Sequence, residues 1–231
     1  MTRFFLGFDV AMMNDYSAVS VLEIGTEPRY RLRYLARLPR KLPYPDQIKQ
    51  VIDLCEKINR QYGELPTIAI DYTGVGSAVL QSLRAAYRGR TIGVLITGGS
   101  TPSVTDDGLI NHVPKKDLIG RLRVSLEGGY LRISRGIPDI EVFTDELSAF
   151  EMKVSESGNV TMQASGSGHD DTVLSVAIAL FVAFSKVGNF ASAQFTTPIV
   201  SKISQPGNIP PPSLPFGHKK IPQFPGRWRG M

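Results

Sequence analysis

Three runs near the start of the chain, Phe4–Val10, Tyr16–Ile24 and Tyr30–Leu38, are rich in aromatic and β-branched residues, with turn formers between them. This pattern predicts an antiparallel meander. In "PYPDQIKQVIDLCEKINRQYG" the apolar positions Ile48, Val51, Ile52, Cys55 and Ile58 recur at helical spacing, and Gly63 lies just past the end. "LPTIAIDY" reads as a short buried strand ending in Asp71, "GVGSAVLQSLRAAYRG" as a helix and "RTIGVLIT" as a strand. A meander followed by βαβ predicts an α/β fold, in which a mixed sheet (antiparallel meander, then parallel strands) is flanked by helices.

The second half is less regular. "GGSTPSVTDDGLINHV" predicts a loop or hairpin excursion, "PKKDLIGRLRVSLEGG" a helix with Pro114 in its first turn, and "YLRIS" a short strand. "IPDIEVFTDELSAFEM" predicts another helix, and "KVSESGNVTMQA" an extra β-hairpin around Ser157–Gly158–Asn159. "SGSGHDDTVLSVAIALFVAFSKVG" is a glycine-rich approach to an apolar helix from Asp171 to about Val187. From Phe195 onward the composition changes, since half of the 16 prolines fall there. The expected division is a domain over residues 1–190 and a Pro-rich, basic, flexible tail over 191–231.

Composition narrows the classes. With 231 residues, 42% hydrophobic and 20% charged, the chain suits one globular domain with an appendage. It contains no apolar run long enough for a transmembrane helix, and its N-terminal apolar stretch meets Asp9 too soon for a signal peptide. Cys55 is the only cysteine, which excludes an internal disulfide or a Cys-rich zinc site and suggests a reducing, cytoplasmic compartment. The formal charge of +5 is a property of the tail, where Lys202, Lys219, Lys220, Arg227 and Arg229 stand without an acid, so the rest is neutral. A nucleic-acid footprint on the body must therefore come from clustering of charge rather than its excess.

Two predicted strands end in aspartates 62 residues apart, Asp9 and Asp71, and a helix opens on Asp170 and Asp171. A buried carboxylate needs a partner, a proton or a metal. Taken singly, Asp9 and Asp71 also read as polar strand ends, and Asp170 and Asp171 as a helix cap and a first-turn acid. If the two strands are parallel neighbours, Asp9 and Asp71 emerge roughly 5 Å apart. Three converging carboxylates repel unless a hard cation such as Mg²⁺ or Mn²⁺ joins them. Two such ions about 4 Å apart activate water and stabilise a leaving oxygen in phosphodiester hydrolysis.

The order of these elements resembles the ribonuclease H-like superfamily. "GFDVAMMNDYSAVSVLEI", "IAIDYTGVGSAV" and "SGSGHDDTVLSVAIAL" resemble the three nuclease motifs of phage terminase large subunits, and "NHVPKKDLIGRLRVSLEGGYLRI" a segment common in those domains. The resemblance covers most of residues 1–187. It implies a metal-dependent endonuclease domain of a viral DNA-packaging terminase that cuts concatemeric genomes by a two-metal-ion reaction. The metal ligands would be Asp9, Asp71 and one of Asp170 or Asp171, with Asp171 favoured, assisted by Asp15 and His169. It also implies two Mg²⁺ or Mn²⁺ ions, double-stranded DNA as substrate, and an ATPase domain, small terminase subunit and portal as partners in the cytoplasm of a bacterial host. The sequence contains no GxxxxGK[ST] phosphate loop, so an isolated nuclease domain without ATP hydrolysis is expected.

Phosphate contacts are expected from Lys115, Lys116, Arg121 and Arg123 on one helix and from Arg84, Arg88 and Arg90. Two alternatives stay open: another ribonuclease H-like nuclease (a junction resolvase or an RNA–DNA hybrid hydrolase), or a non-catalytic adaptor docking through the tail.

Overall fold

The structure, a computed structural model, describes residues 3–12, 15–25, 30–99, 101–105, 107–154, 160–164 and 169–187. The expected tail and the hairpin tip at Ser157–Gly158–Asn159 lie outside these residues. The predicted meander forms as β1 (Arg3–Asp9), β2 (Ala18–Ile24) and β3 (Tyr30–Arg37), antiparallel throughout. Then come α1 (Tyr44–Tyr62), β4 (Thr67–Asp71), α2 (Gly76–Ala86) and β5 (Thr91–Thr97). The excursion is a small antiparallel hairpin, β6 (Ser103–Val104) with β7 (Ile110–Pro114), and it leads into α3 (Lys115–Glu127) and β8 (Leu131–Ile133). The chain continues through α4 (Ile140–Ala149), β9 (Phe150–Val154), β10 (Val160–Ala164) and α5 (Asp171–Val187).

One eight-stranded sheet has the order β6-β7-β5-β4-β1-β2-β3-β8, and β9 and β10 form a separate antiparallel pair. β7, β5, β4 and β1 run parallel, so their C-terminal ends share one edge. The two faces are filled differently. Phe4, Leu6 and Phe8 pack with α1 and α2, whereas Phe5, Leu22 and Leu32 pack with α3, α4 and α5. This alternation is the period of two along β1. Helix α5 is buried from Asp171 to Ala183 because sheet and helices surround it, which explains why it is apolar on all sides.

The expected helix "IPDIEVFTDELSAFEM" ends three residues early. At Phe150 the backbone turns extended, and Arg123 satisfies the released carbonyls, donating from Nη2 to Leu147 O (3.4 Å) and Phe150 O (2.7 Å). Pairing of β9 with β10 takes the remaining residues. Among the described residues, no helix is long and apolar enough to cross a membrane.

Candidate metal centre

Phe8 of β1 is registered with Ile70 of β4, so the next residues, Asp9 and Asp71, stand side by side at the common edge, one strand spacing apart (about 4.8 Å). Both are buried. Asp71 Oδ1 accepts from the Thr73 amide (2.8 Å), and a Cβ on Gly76 would lie 1.8 Å from the Asp71 carbonyl oxygen, so only glycine lets α2 start so close behind the strand.

The third acidic segment arrives through a close approach of α5 to β1. A Cβ at Gly7 would lie 1.9 Å from the Ser175 carbonyl oxygen, and Ser175 Oγ donates to Gly7 O (3.2 Å). Asp9 lies two residues further along the strand, about 6.6 Å, and Asp171 lies four residues back along the helix, about 6 Å. The two rises nearly match, so the Gly7–Ser175 contact brings Asp171 level with Asp9.

The electrostatics carry the mark of this crowding. Burial, then the charges of Asp71, Asp171 and Asp170, push Asp9 well above the ordinary carboxyl range, against a smaller lowering by Lys115. Burial, and behind it the charge of Asp170, raises Asp71, although hydrogen bonding to Thr73 and Asp9 opposes this. Asp171 is raised to about 7, first by burial; Arg37 opposes the rise, while Glu146 and Asp15 add to it.

The ambiguous pair separates by partner. Lys115 Nζ lies 2.5 Å from Asp170 Oδ2, whereas Arg37 Nη2 lies 3.2 Å from Asp171 Oδ2. Asp171 Oδ2 is buried and takes no aligned hydrogen bond among the described residues. Asp15 and His169 join from the other side, with His169 Nδ1 2.8 Å from Asp15 Oδ1. Asp15, His169 and Asp171 each offer a ligand atom within 4.8 Å of the other two. Buried, mutually repelling carboxylates, one of whose oxygens takes no hydrogen bond among the described residues, and one imidazole are a donor set that fits hard divalent cations.

Two residues central to this arrangement, Glu146 and Arg37, escape the sequence reading. Glu146, buried on α4, places Oε1 2.5 Å from Arg37 Nη2, while Oε2 accepts from the amides of Thr172 (2.9 Å) and Val173 (3.1 Å) and from Thr172 Oγ1. The side-chain cap of α5 is therefore Glu146, supplied by another helix. Asp170 contributes a backbone oxygen, which accepts from Leu174 N (2.8 Å), and turns its side chain to Lys115. The available signal was a carboxylate three residues after Phe143, on the apolar stripe of α4. Glu146→Ala takes from the Arg37 guanidinium the nearer of its two carboxylates and leaves two helix amides without their acceptor. We expect a loss of about 3 kcal/mol in denaturant-unfolding stability, together with weaker divalent-ion binding by calorimetry.

The expected phosphate contacts divide sharply. Lys115 sits at the acid edge with Lys116 beside it. Arg121 does not: its guanidinium lies over the rings of Phe181 (5.2 Å) and Phe184 (5.3 Å), and Phe181 is ten residues along α5, about 15 Å from Asp171. Arg123 is spent on the carbonyls that end α4. Arg84 is in the last turn of α2, near Asp107, and Arg88 pairs with Glu56 (3.4 Å). Arg90, whose carbonyl binds the start of β4, lies at the opposite edge of the sheet, as does Arg88 two residues before it. Their sequence clustering is real, but α2 and α3 both run away from the acid edge and carry these arginines with them.

A meander-plus-parallel sheet whose strand ends and last helix gather aspartates defines a domain of the ribonuclease H-like nuclease class. The family profile for the terminase RNaseH-like domain matches residues 6–182, and the chain belongs to that family. It is 29% identical over 174 residues to the large terminase subunits of Thermus phage G20c and Thermus virus P23-45; these matches cover 75% of this chain and 30% of each relative. The crystal structure of the G20c large terminase nuclease with bound cobalt superposes with a TM-score of 0.58 at 26% identity, covering 78% of this chain and 81% of that one. The human cytomegalovirus terminase nuclease domain shares the fold (TM-score 0.54, 10% identity, covering 79% and 85%).

Proposed function

We propose that this chain is the endonuclease domain of a phage DNA-packaging terminase and cuts double-stranded DNA with Mg²⁺ or Mn²⁺. The observation that carries the reading is the pairing of Asp9 and Asp71 side by side at one buried edge, with the charges of Asp170 and Asp171 at the start of α5 acting on Asp9 and that of Asp170 on Asp71. The chain spans about 30% of the length of its curated relatives. The division at residue 190, the ATPase domain, small subunit and portal as partners, and the host cytoplasm as location are all part of the proposal.

In this reading Asp9, Asp71 and Asp171 hold the metal, with Asp15 and His169 serving a second position. Bound divalent ions supply the water activation and charge neutralisation that phosphodiester hydrolysis requires. Glu146 and Arg37 fix the direction of Asp171. Lys115 restrains Asp170 and, with Lys116, presents positive charge to the phosphates on the β7 side. The apolar packing of Phe8 and Ile70 beneath the acids keeps bulk water away from their inner side.

The test is nicking of supercoiled plasmid by wild type and Asp71→Ala, with Mn²⁺ or Mg²⁺ and with EDTA. Metal-dependent nicking of ordinary duplex by the wild type alone is the expected result. Cleavage only of branched DNA or hybrids would replace this reading with another nuclease of the fold, and no cleavage under any condition would replace it with a non-catalytic role.

A further inference from the structure

The acid edge has a positive flank that the sequence reading did not single out. After β3, the segment Leu38–Pro43 makes a tight turn, closed by the Leu42 amide donating to Pro39 O (3.3 Å). Arg40 and Lys41 occupy its two central positions, both exposed. Lys41 has φ of 61°, the sole positive φ of a non-glycine among the described residues. Glycine or asparagine would take that conformation with less strain, so the turn tolerates strain while presenting a lysine.

The turn is tied to the metal centre. Arg37, three residues before Arg40, pairs with Asp171, and the guanidinium of Arg40 lies 4.2 Å from the ring centroid of Tyr16, the neighbour of Asp15. The same ring meets Arg37 at 4.6 Å and His169 edge-on at 6.0 Å. A cation–π contact of this kind uses none of the guanidinium's N–H donors as hydrogen bonds, so they remain for an anion. Among the described residues, neither Arg40 nor Lys41 has an acidic partner, whereas Arg37 and Lys115 are both engaged.

We propose that the Pro39–Leu42 turn grips the DNA backbone on the β3 side of the metal centre, with Arg40 and Lys41 as the phosphate contacts, opposite the start of α3 on the β7 side, where Lys116 stands beside the engaged Lys115. The strand order supports the placement. From β7 to β3 there are five strand spacings, about 24 Å, with Asp71 and Asp9 near the middle. At 3.4 Å per base pair that length is about seven steps of duplex, so cations hold both sides of a backbone centred on the acids. The inference rests on the nuclease reading above and adds to it where the substrate is held.

The test measures binding of a labelled duplex to the full chain in EDTA across a salt series, for wild type, R40Q/K41N, the charge-preserving R40K/K41R, and R60Q/R90Q, whose arginines are exposed at the opposite edge. Asparagine suits the positive φ at position 41, so folding is preserved, and thermal melts check it. Each phosphate contact contributes about 0.9 to the log–log salt slope. R40Q/K41N is expected to lower the slope by about 1.8 and low-salt affinity by about tenfold, while R40K/K41R and R60Q/R90Q keep the wild-type slope. An unchanged slope for R40Q/K41N, an equal loss in R60Q/R90Q, or no duplex binding by the wild type overturns the proposal. A parallel assay, Mn²⁺-dependent hydrolysis of a small activated phosphodiester, reads the metal centre without the flanks. R60Q/R90Q, at the opposite edge, should keep that activity, and R40Q/K41N should lose more in duplex affinity than in this activity; an equal or greater loss of the activity would mean that the turn acts through the metal centre, which also overturns the proposal. Absence of the activity in wild type counts against the nuclease reading itself, separately from the turn.

Discussion

Asp9→Asn is expected to abolish DNA cleavage and yet make the metal-free protein more heat-stable at pH 8. The carboxyl is raised well above its ordinary range by burial and by Asp71, Asp171 and Asp170. A carboxyl with a raised folded-state pKa holds more protons folded than unfolded, so stability grows as pH falls through the interval and is lost as pH rises. For Asp171 this interval runs from about 7 down to 3.8. The metal-free wild type should therefore melt at a lower temperature at pH 8 than at pH 5.5, and Asp9→Asn should flatten that dependence. For a domain of this size, each kcal/mol of relieved repulsion raises Tm by roughly 3 °C. Divalent metal should reverse the order: at a hundredfold excess over Kd it stabilises the wild type by about 2.7 kcal/mol and the variant far less. Cleavage should fall at least about 10³-fold, or roughly 4 kcal/mol in the barrier. Scanning calorimetry at the two pH values and a nicking assay check both halves. An Asp9→Asn variant that nicks plasmid at the wild-type rate would remove Asp9 from the reaction.

Gly7→Ala is expected to damage a centre it does not touch. The added methyl would meet the Ser175 carbonyl oxygen at 1.9 Å and Ser20 Oγ at 2.7 Å, distances that only movement of α5 away from β1 can relieve. Because backbone rather than a flexible side chain is struck, the cost should reach the upper end for overpacking, about 3 kcal/mol, or roughly 9 °C in Tm. The separation also carries Asp171 away from Asp9 by on the order of 1 Å, a displacement that costs about a hundredfold in a geometrically demanding reaction. Gly25→Ala, which meets nothing within 4 Å, is the control and should leave both Tm and nicking unchanged. A Gly7→Ala variant with wild-type Tm and activity would refute the account of how α5 is placed.

Several features were legible because they are local. The apolar strand ending in Asp71 and the helix opening at Asp171 follow from periodicity and neighbouring turn residues, and the structure has both at those positions. The candidate site was legible only in its acids. Glu146 and Arg37 went unnoticed because nothing within ten residues of either reveals its partner, 109 positions away. The arginines of α3 lie away from the acid edge for the converse reason. Arg121 and Arg123 share a helix with Lys115 and Lys116, but their distant partners, Phe181 and Phe184 for one and the carbonyls closing α4 for the other, draw them inward.

The sequence by itself determined which segments are strands, which helices follow them and which of their ends carry carboxylates, since those depend on residue spacing and backbone chemistry within a few positions. Only the tertiary structure decided that Asp9 and Asp71 are neighbours, that Asp171 reaches their level, and which cations remain at the edge to meet a substrate. Strand order and the close approach permitted at Gly7 are contacts between residues far apart in the chain, and a charge is available or consumed according to what the fold sets against it.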